Sequence, residues 1–245
     1  SMFTLPVLIR PIVENTGWSV TGISTAMTIA FVAMALGSMA FGSLSDHIGA
    51  RPVVLMGSGA LAASLAWASR ATSMLEFQLI FGLVVGLSIA AILPPLMASV
   101  MGWFDTHRSL AVSLVSAGMD MAPMTVSPFA AWLVSNYDWR FSLLAIAGLA
   151  AITMIPLALL IRRPPALPEE ERSPMPTTGA RAPMSVGAAL TSSPFIVLML
   201  TNFFCCATHS GPIFHTVGYA VSCGIPLVAA VTIYSVEGLA GLGGR

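Results

Sequence analysis

The chain has 245 residues, of which 56% are hydrophobic and only 8% charged, where an average globular protein carries roughly 25%. All of its ten basic residues are arginine, and ten acidic residues balance them to a formal net charge of zero. So few charges cannot cover a water-soluble surface, which excludes a soluble enzyme and a disordered chain, and the neutral balance offers no face for nucleic acid.

Residues 1–9 are apolar but too short to cross a bilayer, which takes about 20 residues. They read as the tail of a helix, with neither the basic start nor the cleavage site of a signal peptide. Residues 20–44 form an uncharged run long enough to span, and residues 52–69 form a second. A third covers 79–101, where Gly82, Gly86 and Ser88 allow close helix approach and Pro94-Pro95 predict a kink. A fourth, 109–135, is interrupted only by Asp120, and a fifth covers 141–161. Residues 194–217 carry His209 and His215, and 224–242 carry Glu237.

One connection is long. Residues 162–193 hold six prolines and the run Glu169-Glu170-Glu171, which predicts a hydrated linker rather than a packed segment. The arginines then set the orientation. If the 46–51 connection is cytoplasmic, that side carries Arg51, Arg108, Arg162, Arg163, Arg172 and Arg181. The opposite side carries Arg70 and Arg140, with Arg10 near the end of the first helix. The linker is therefore expected in the cytoplasm, with a bundle over residues 1–161 before it and the start of a second bundle over 194–245 after it.

The sharpest local pattern is Gly42-Ser43-Leu44-Ser45-Asp46-His47-Ile48-Gly49-Ala50-Arg51-Pro52. It predicts a tight turn in which Asp46 and Arg51 can pair and Pro52 opens the next helix. This stretch resembles the loop motif of the major facilitator superfamily, G-x-L-x-D-R/K-x-G-R/K-R/K, at Gly42, Leu44, Asp46, Gly49 and Arg51. His47 and Ala50 depart from it by replacing basic residues. Five further stretches resemble the monocarboxylate and oxalate/formate group of that superfamily. They are Glu14-Asn15-Thr16-Gly17-Trp18-Ser19, Trp103-Phe104 with Arg108 and Ala111, Asp138-Trp139-Arg140, His215-Thr216-Val217-Gly218-Tyr219-Ala220, and Gly243-Gly244-Arg245. Ser222 stands where that group often has Asp, and the cation usual in its helix eight has no counterpart here.

The resemblance implies an all-α polytopic membrane protein with a partial major facilitator fold. It would comprise the N-terminal six-helix bundle, its first helix truncated, plus the first two helices of the C-terminal bundle. It also implies alternating access around a substrate near the bilayer midplane. In the superfamily the loop Asp is held near the start of helix eleven, so this chain alone is expected not to transport. The remainder of the C-terminal bundle, the lipid bilayer and a small-molecule substrate are the expected partners.

Ionisable residues in spans are costly and mark function by default. Asp120 reads either as a proton acceptor or cavity-lining carboxylate, or as a carboxyl hydrogen-bonded to a neighbouring helix. The same pair of readings applies to Glu237. Arg10 either snorkels to the interface or attracts an anion at the outer mouth. His215 either lines the outer cavity and titrates near neutral pH or is a hydrogen-bonded packing residue. Cys205, Cys206 and Cys223 read as small packing residues, without metal-ligand spacing.

The functional expectation is a secondary transporter of small organic anions, monocarboxylate or dicarboxylate, by proton symport or anion exchange. A drug or metabolite efflux transporter of the same superfamily and a transporter-like membrane sensor are the alternatives. No nucleophile elbow, H-E-x-x-H or phosphate-binding glycine loop is present, so no enzyme activity, cofactor or metal is expected. The expected location is a bacterial inner (plasma) membrane.

Overall fold

The computed structural model describes residues 4–104, 108–162, 187 and 190–244, without the side chains of Arg108, Asp120, Pro123, His209, Ser210 and 212–214. Among the described residues the chain is helical, with no strand. Eight long helices follow the expected order. These are α1 (Leu5–Thr16), α2 (Val20–Ile48), α3 (Ala50–Ala68), α4 (Met74–Trp103), α5 (Arg108–Asn136), α6 (Trp139–Leu159), α7 (Ser193–Ser222) and α8 (Leu227–Gly244). The chain divides into two compact units, Ser1–Pro164 with Val217–Arg245, and Pro165–Thr216. Nearly all of the expected 162–193 linker lies outside the described residues.

Among the described residues five helices are long and apolar enough to cross a membrane: α2, α4, α6, α8 and residues Ser109–Asn136 of α5. The uncharged runs of the sequence predict spans at α3 and α7 too. The charged start of α3 and its small polar residues Ser58 and Ser64 dilute its hydropathy; in α7, a helix over Ser193–Ser222, the described apolar stretch is Ser193–Thr208 and the part beyond it includes residues outside the described side chains.

The first helix is longer than its apolar run. Pro6 sits in the first turn, where a missing N–H is no loss. Leu5, Leu8 and Ile12 share one buried face and Val7 is buried as well, so Arg10, Pro11 and Glu14 are carried along by that packing. Gly17, at φ 73°, ends the helix in a left-handed cap whose N–H donates to Val13 O at 2.9 Å. The Glu14–Ser19 stretch is thus the last turn of α1, its cap and the Ser19 N-cap of α2, rather than a segment after the helix. Ser19 Oγ accepts from Gly22 N at 3.0 Å.

Helix α4 is composite. It begins at Met74–Phe77 under a Ser73 cap, continues as a π-helix over Gln78–Val84, returns to α-helix over Val85–Ala90, and restarts at Leu93–Trp103 after a turn. The turn precedes Pro94-Pro95, which occupy the first turn of the new segment; the expected kink lies on their N-terminal side. The π segment sits against α2, where Gln78 Nε2 donates to Gly22 O at 2.7 Å.

Packing in the larger unit rests on two devices. Glycines bring α4 onto α2 and α3: an added Cβ at Gly86 would lie 2.5 Å from Ala30 O, and one at Gly57 would lie 2.9 Å from Ala91 Cβ. At the end where α2, α4 and α6 begin, Trp18, Phe77, Phe81 and Trp139 form an aromatic cluster, with Phe77 and Phe81 stacked at 5.4 Å and Phe77 edge-on to Trp139 at 6.4 Å. Helix α3 packs along α6, and α8 packs along α5. Large apolar side chains such as Leu36, Met39, Trp67 and Ile152 remain exposed, a surface made for lipid rather than water.

Candidate functional site

The five motif residues are brought together, but not as a loop. Gly42, Leu44 and Asp46 belong to α2, and Arg51 to the first turn of α3. Only Gly49 links the two helices, at φ 93° and ψ 157°, with its N–H on Ser45 O at 2.8 Å. A side chain there would be strained, so the reversal depends on glycine. No side chain caps the start of α3, which leaves its first-turn amides facing the junction.

Around this junction lies a cavity of about 300 Å³. Asp46, His47 and Arg51 line one side, with Ser99 from α4 and Arg162 just beyond α6 on the other. Asp46, His47 and Arg51 are exposed, so their charges are presented rather than buried. Trp103 Nε1 donates to Arg162 O at 3.3 Å and fixes the backbone there. Sequence reading placed Asp46 beside Arg51 but missed Ser99 and Arg162, which lie far away in the chain. The one available signal was that Arg51 and Arg162 fall on the same, cytoplasmic side in the arginine distribution.

The intramembrane candidates divide. Glu237 is half-buried on α8, one turn from the fully buried Tyr234. Helix α8 runs along α5, where Ser235 Oγ donates to Met124 O at 3.4 Å. The backbone of Asp120 lies one turn before Met124 on α5, while its side chain lies outside the described residues. Arg10 is half-buried on α1, which packs against α5. His215 is exposed within the Pro165–Thr216 unit, and the side chain of His209 lies outside the described residues.

Two readings change. Cys205, Cys206 and Cys223 are exposed, not packed; on α7, Leu198, Phe203 and Phe204 are exposed along with the first two. Arg140, read from the sequence as a topogenic charge and as part of the Asp138-Trp139-Arg140 stretch, is a staple. Its guanidinium donates to Ser69 O at 2.8 Å and Ala71 O at 3.0 Å, and lies 4.5 Å from the Trp139 ring centroid. Among the described residues no group of three His, Cys, Asp or Glu could hold a metal.

Comparison with known proteins places this arrangement. The family model described as Major Facilitator Superfamily matches residues 1–245. Monocarboxylate transporter 13 of Rattus norvegicus is 29% identical over 223 residues, covering 91% of this chain and 50% of that protein. Monocarboxylate transporter 3 of Rattus norvegicus is 30% identical over 196 residues, 80% of this chain and 40% of that protein. Monocarboxylate transporter 2 of Mus musculus is 30% identical over 141 residues, 58% and 28% respectively. The chain spans about half the length, or less, of these curated relatives.

Proposed function

The chain belongs to the major facilitator superfamily, and on that premise we propose that the protein carrying it is a secondary active transporter of small organic anions. Monocarboxylates are the first substrate class to test and dicarboxylates the second, with movement by proton symport or anion exchange through alternating access. The observation that carries this reading is the run of relatives named monocarboxylate transporters over most of the chain. The protein is an integral, multi-pass membrane protein.

In this reading residues 1–161 are the N-terminal bundle, 162–193 a cytoplasmic linker and 194–245 the start of the second bundle. The remainder of that bundle and the bilayer complete the machine, and no chemistry is performed on the substrate. The relatives compared are animal proteins, so the location reduces to a membrane with the linker on its cytoplasmic side. Gly42, Leu44, Asp46, Gly49 and Arg51 form the gating junction. Glu237 and Asp120, on the packed pair α8 and α5, are the proton-coupling candidates, with Arg10 and His215 as candidate anion contacts. The half-buried position of Glu237 within a span supports a coupling role, because an ionisable residue in the membrane is costly and marks function by default.

The test is uptake by the complete protein in proteoliposomes. Labelled lactate, pyruvate and a dicarboxylate panel, offered with and without an inward proton gradient, should accumulate or exchange. No uptake and no exchange across the panel would sink the reading.

A further inference from the structure

We propose that the cavity at the α2–α3 junction, together with an apolar slot one helical turn deeper, binds a single anionic phospholipid. Its phosphate would sit on Arg51 and Arg162, and one acyl chain would lie between α3, α4 and α6.

Two spaces whose lining residues lie one helical turn apart carry this. The first is the cavity of about 300 Å³, with Arg51 and Arg162 on its walls. The second is a slot of about 170 Å³ lined by Val54 and Ser58 of α3, Ile92 and Leu96 of α4, and Leu157 and Ala158 of α6. They meet helix by helix. Val54 is one turn beyond Arg51 in α3, and Leu96 is one turn before Ser99 in α4. Ile161, at the end of the slot, is the residue before Arg162. The only polar side chain among those six residues, Ser58, spends its hydroxyl on Val54 O at 2.8 Å, so the slot is dry in character. A polar mouth one helical turn from a dry slot, on the same helices, fits an amphiphile better than a free anion.

Charge narrows the class. Two arginines against Asp46, with His47 neutral, leave a formal charge of +1 on the mouth. That matches the single negative charge of a phosphodiester headgroup. It matches a zwitterion or a dianionic monoester less well. Guanidinium groups hold phosphate oxygens through forked hydrogen bonds, and the uncapped amides opening α3 add donors to the same space. Trp103, exposed at the end of α4 and hydrogen-bonded to the backbone of Arg162, stands where an aromatic side chain marks a headgroup boundary. Juxtamembrane arginines also draw anionic lipid to the cytoplasmic leaflet, the side assigned to this junction.

The experiment is native mass spectrometry of the complete protein released from bilayers holding equal phosphatidylglycerol, phosphatidylethanolamine and phosphatidylcholine. One retained phosphatidylglycerol is expected, in preference to the other two. The exposed pair Arg51→Gln and Arg162→Gln should weaken that retention by about tenfold or more while leaving the thermal midpoint unchanged. Glycerol phosphate, a headgroup without chains, should not displace the lipid. Retention equal for the three lipids, retention unaffected by the double substitution, or displacement by glycerol phosphate would each overturn the proposal.

Discussion

Gly86 offers the most direct test of how the larger unit is held together. It sits where α4 presses on α2. A Cβ placed on it would lie 2.5 Å from Ala30 O, 2.9 Å from Ala30 Cα and 3.0 Å from Ala33 Cβ. Two of those three atoms are backbone and cannot rotate away, so a methyl group must push the helices apart. Overpacking of this kind costs about 1–3 kcal/mol, and an unyielding backbone places Gly86→Ala at the upper end. The better helix propensity of alanine returns about 1 kcal/mol. The net is a destabilisation of about 2 kcal/mol, or roughly 4–8 °C in thermal midpoint for a unit of this size. Gly148→Ala in α6 is the matched control, because nothing lies within 4 Å of its added Cβ. It makes the same chemical change with only the propensity gain, so its midpoint should hold or rise. Both variants of the complete protein should be melted in one detergent at one scan rate, since unfolding of such proteins is irreversible. A Gly86→Ala midpoint equal to or above that of Gly148→Ala would refute the close α2–α4 contact.

Other substitutions separate roles. Arg140→Gln removes two hydrogen bonds to Ser69 O and Ala71 O and the stack on Trp139, and should cost about 2 kcal/mol in the same melting assay. Arg140→Lys should recover only part of this, since a point charge cannot fork between two carbonyls. Glu237→Gln and Asp120→Asn are expected to abolish proton-driven uptake while sparing exchange; an unchanged pH dependence in both would remove them from the coupling path. Asp46→Asn should depress transport by the complete protein with a thermal midpoint close to that of the parent, because its carboxylate is exposed and adds little to stability. A large loss of midpoint would instead make Asp46 a structural residue.

The spans and the motif were legible because both are written locally. Uncharged runs of about 20 residues admit few alternatives to a helix, and Gly42, Leu44, Asp46, Gly49 and Arg51 lie within ten positions of each other. Errors arose where tertiary contact overrode local sequence. The charged and proline-bearing second half of α1 reads as a helix end, yet burial of Leu8 and Ile12 carries the helix on to Gly17. The π segment in α4 has no distinguishing composition, since Gln78–Val84 reads as an ordinary apolar run; its geometry answers to the Gly22 carbonyl and to the face of α2. Arg140 could be seen as a charge but not as a staple, because Ser69 and Ala71 are about seventy positions away. For the same reason Arg162 did not register as a neighbour of Arg51.

A chain with only twenty formal charges makes the use of each one informative, and the described ones sort by what occupies their hydrogen bonds. At the end where α4 and α6 begin, three charged groups are spent on backbone. Glu76 accepts from Thr72 N at 2.9 Å, Asp138 accepts from Trp139 N at 2.8 Å, and Arg140 holds two carbonyls. These groups lie around the aromatic cluster and lock one end of the unit. At the other end Asp46 and Arg51 are exposed around an open cavity, with Arg162 beside them. Filled groups answer substitution with lost stability, and presented groups answer it with lost binding or transport. On the transporter reading proposed above, the first end would stay fixed while the second makes and breaks contacts, the division of labour that a rocking bundle requires.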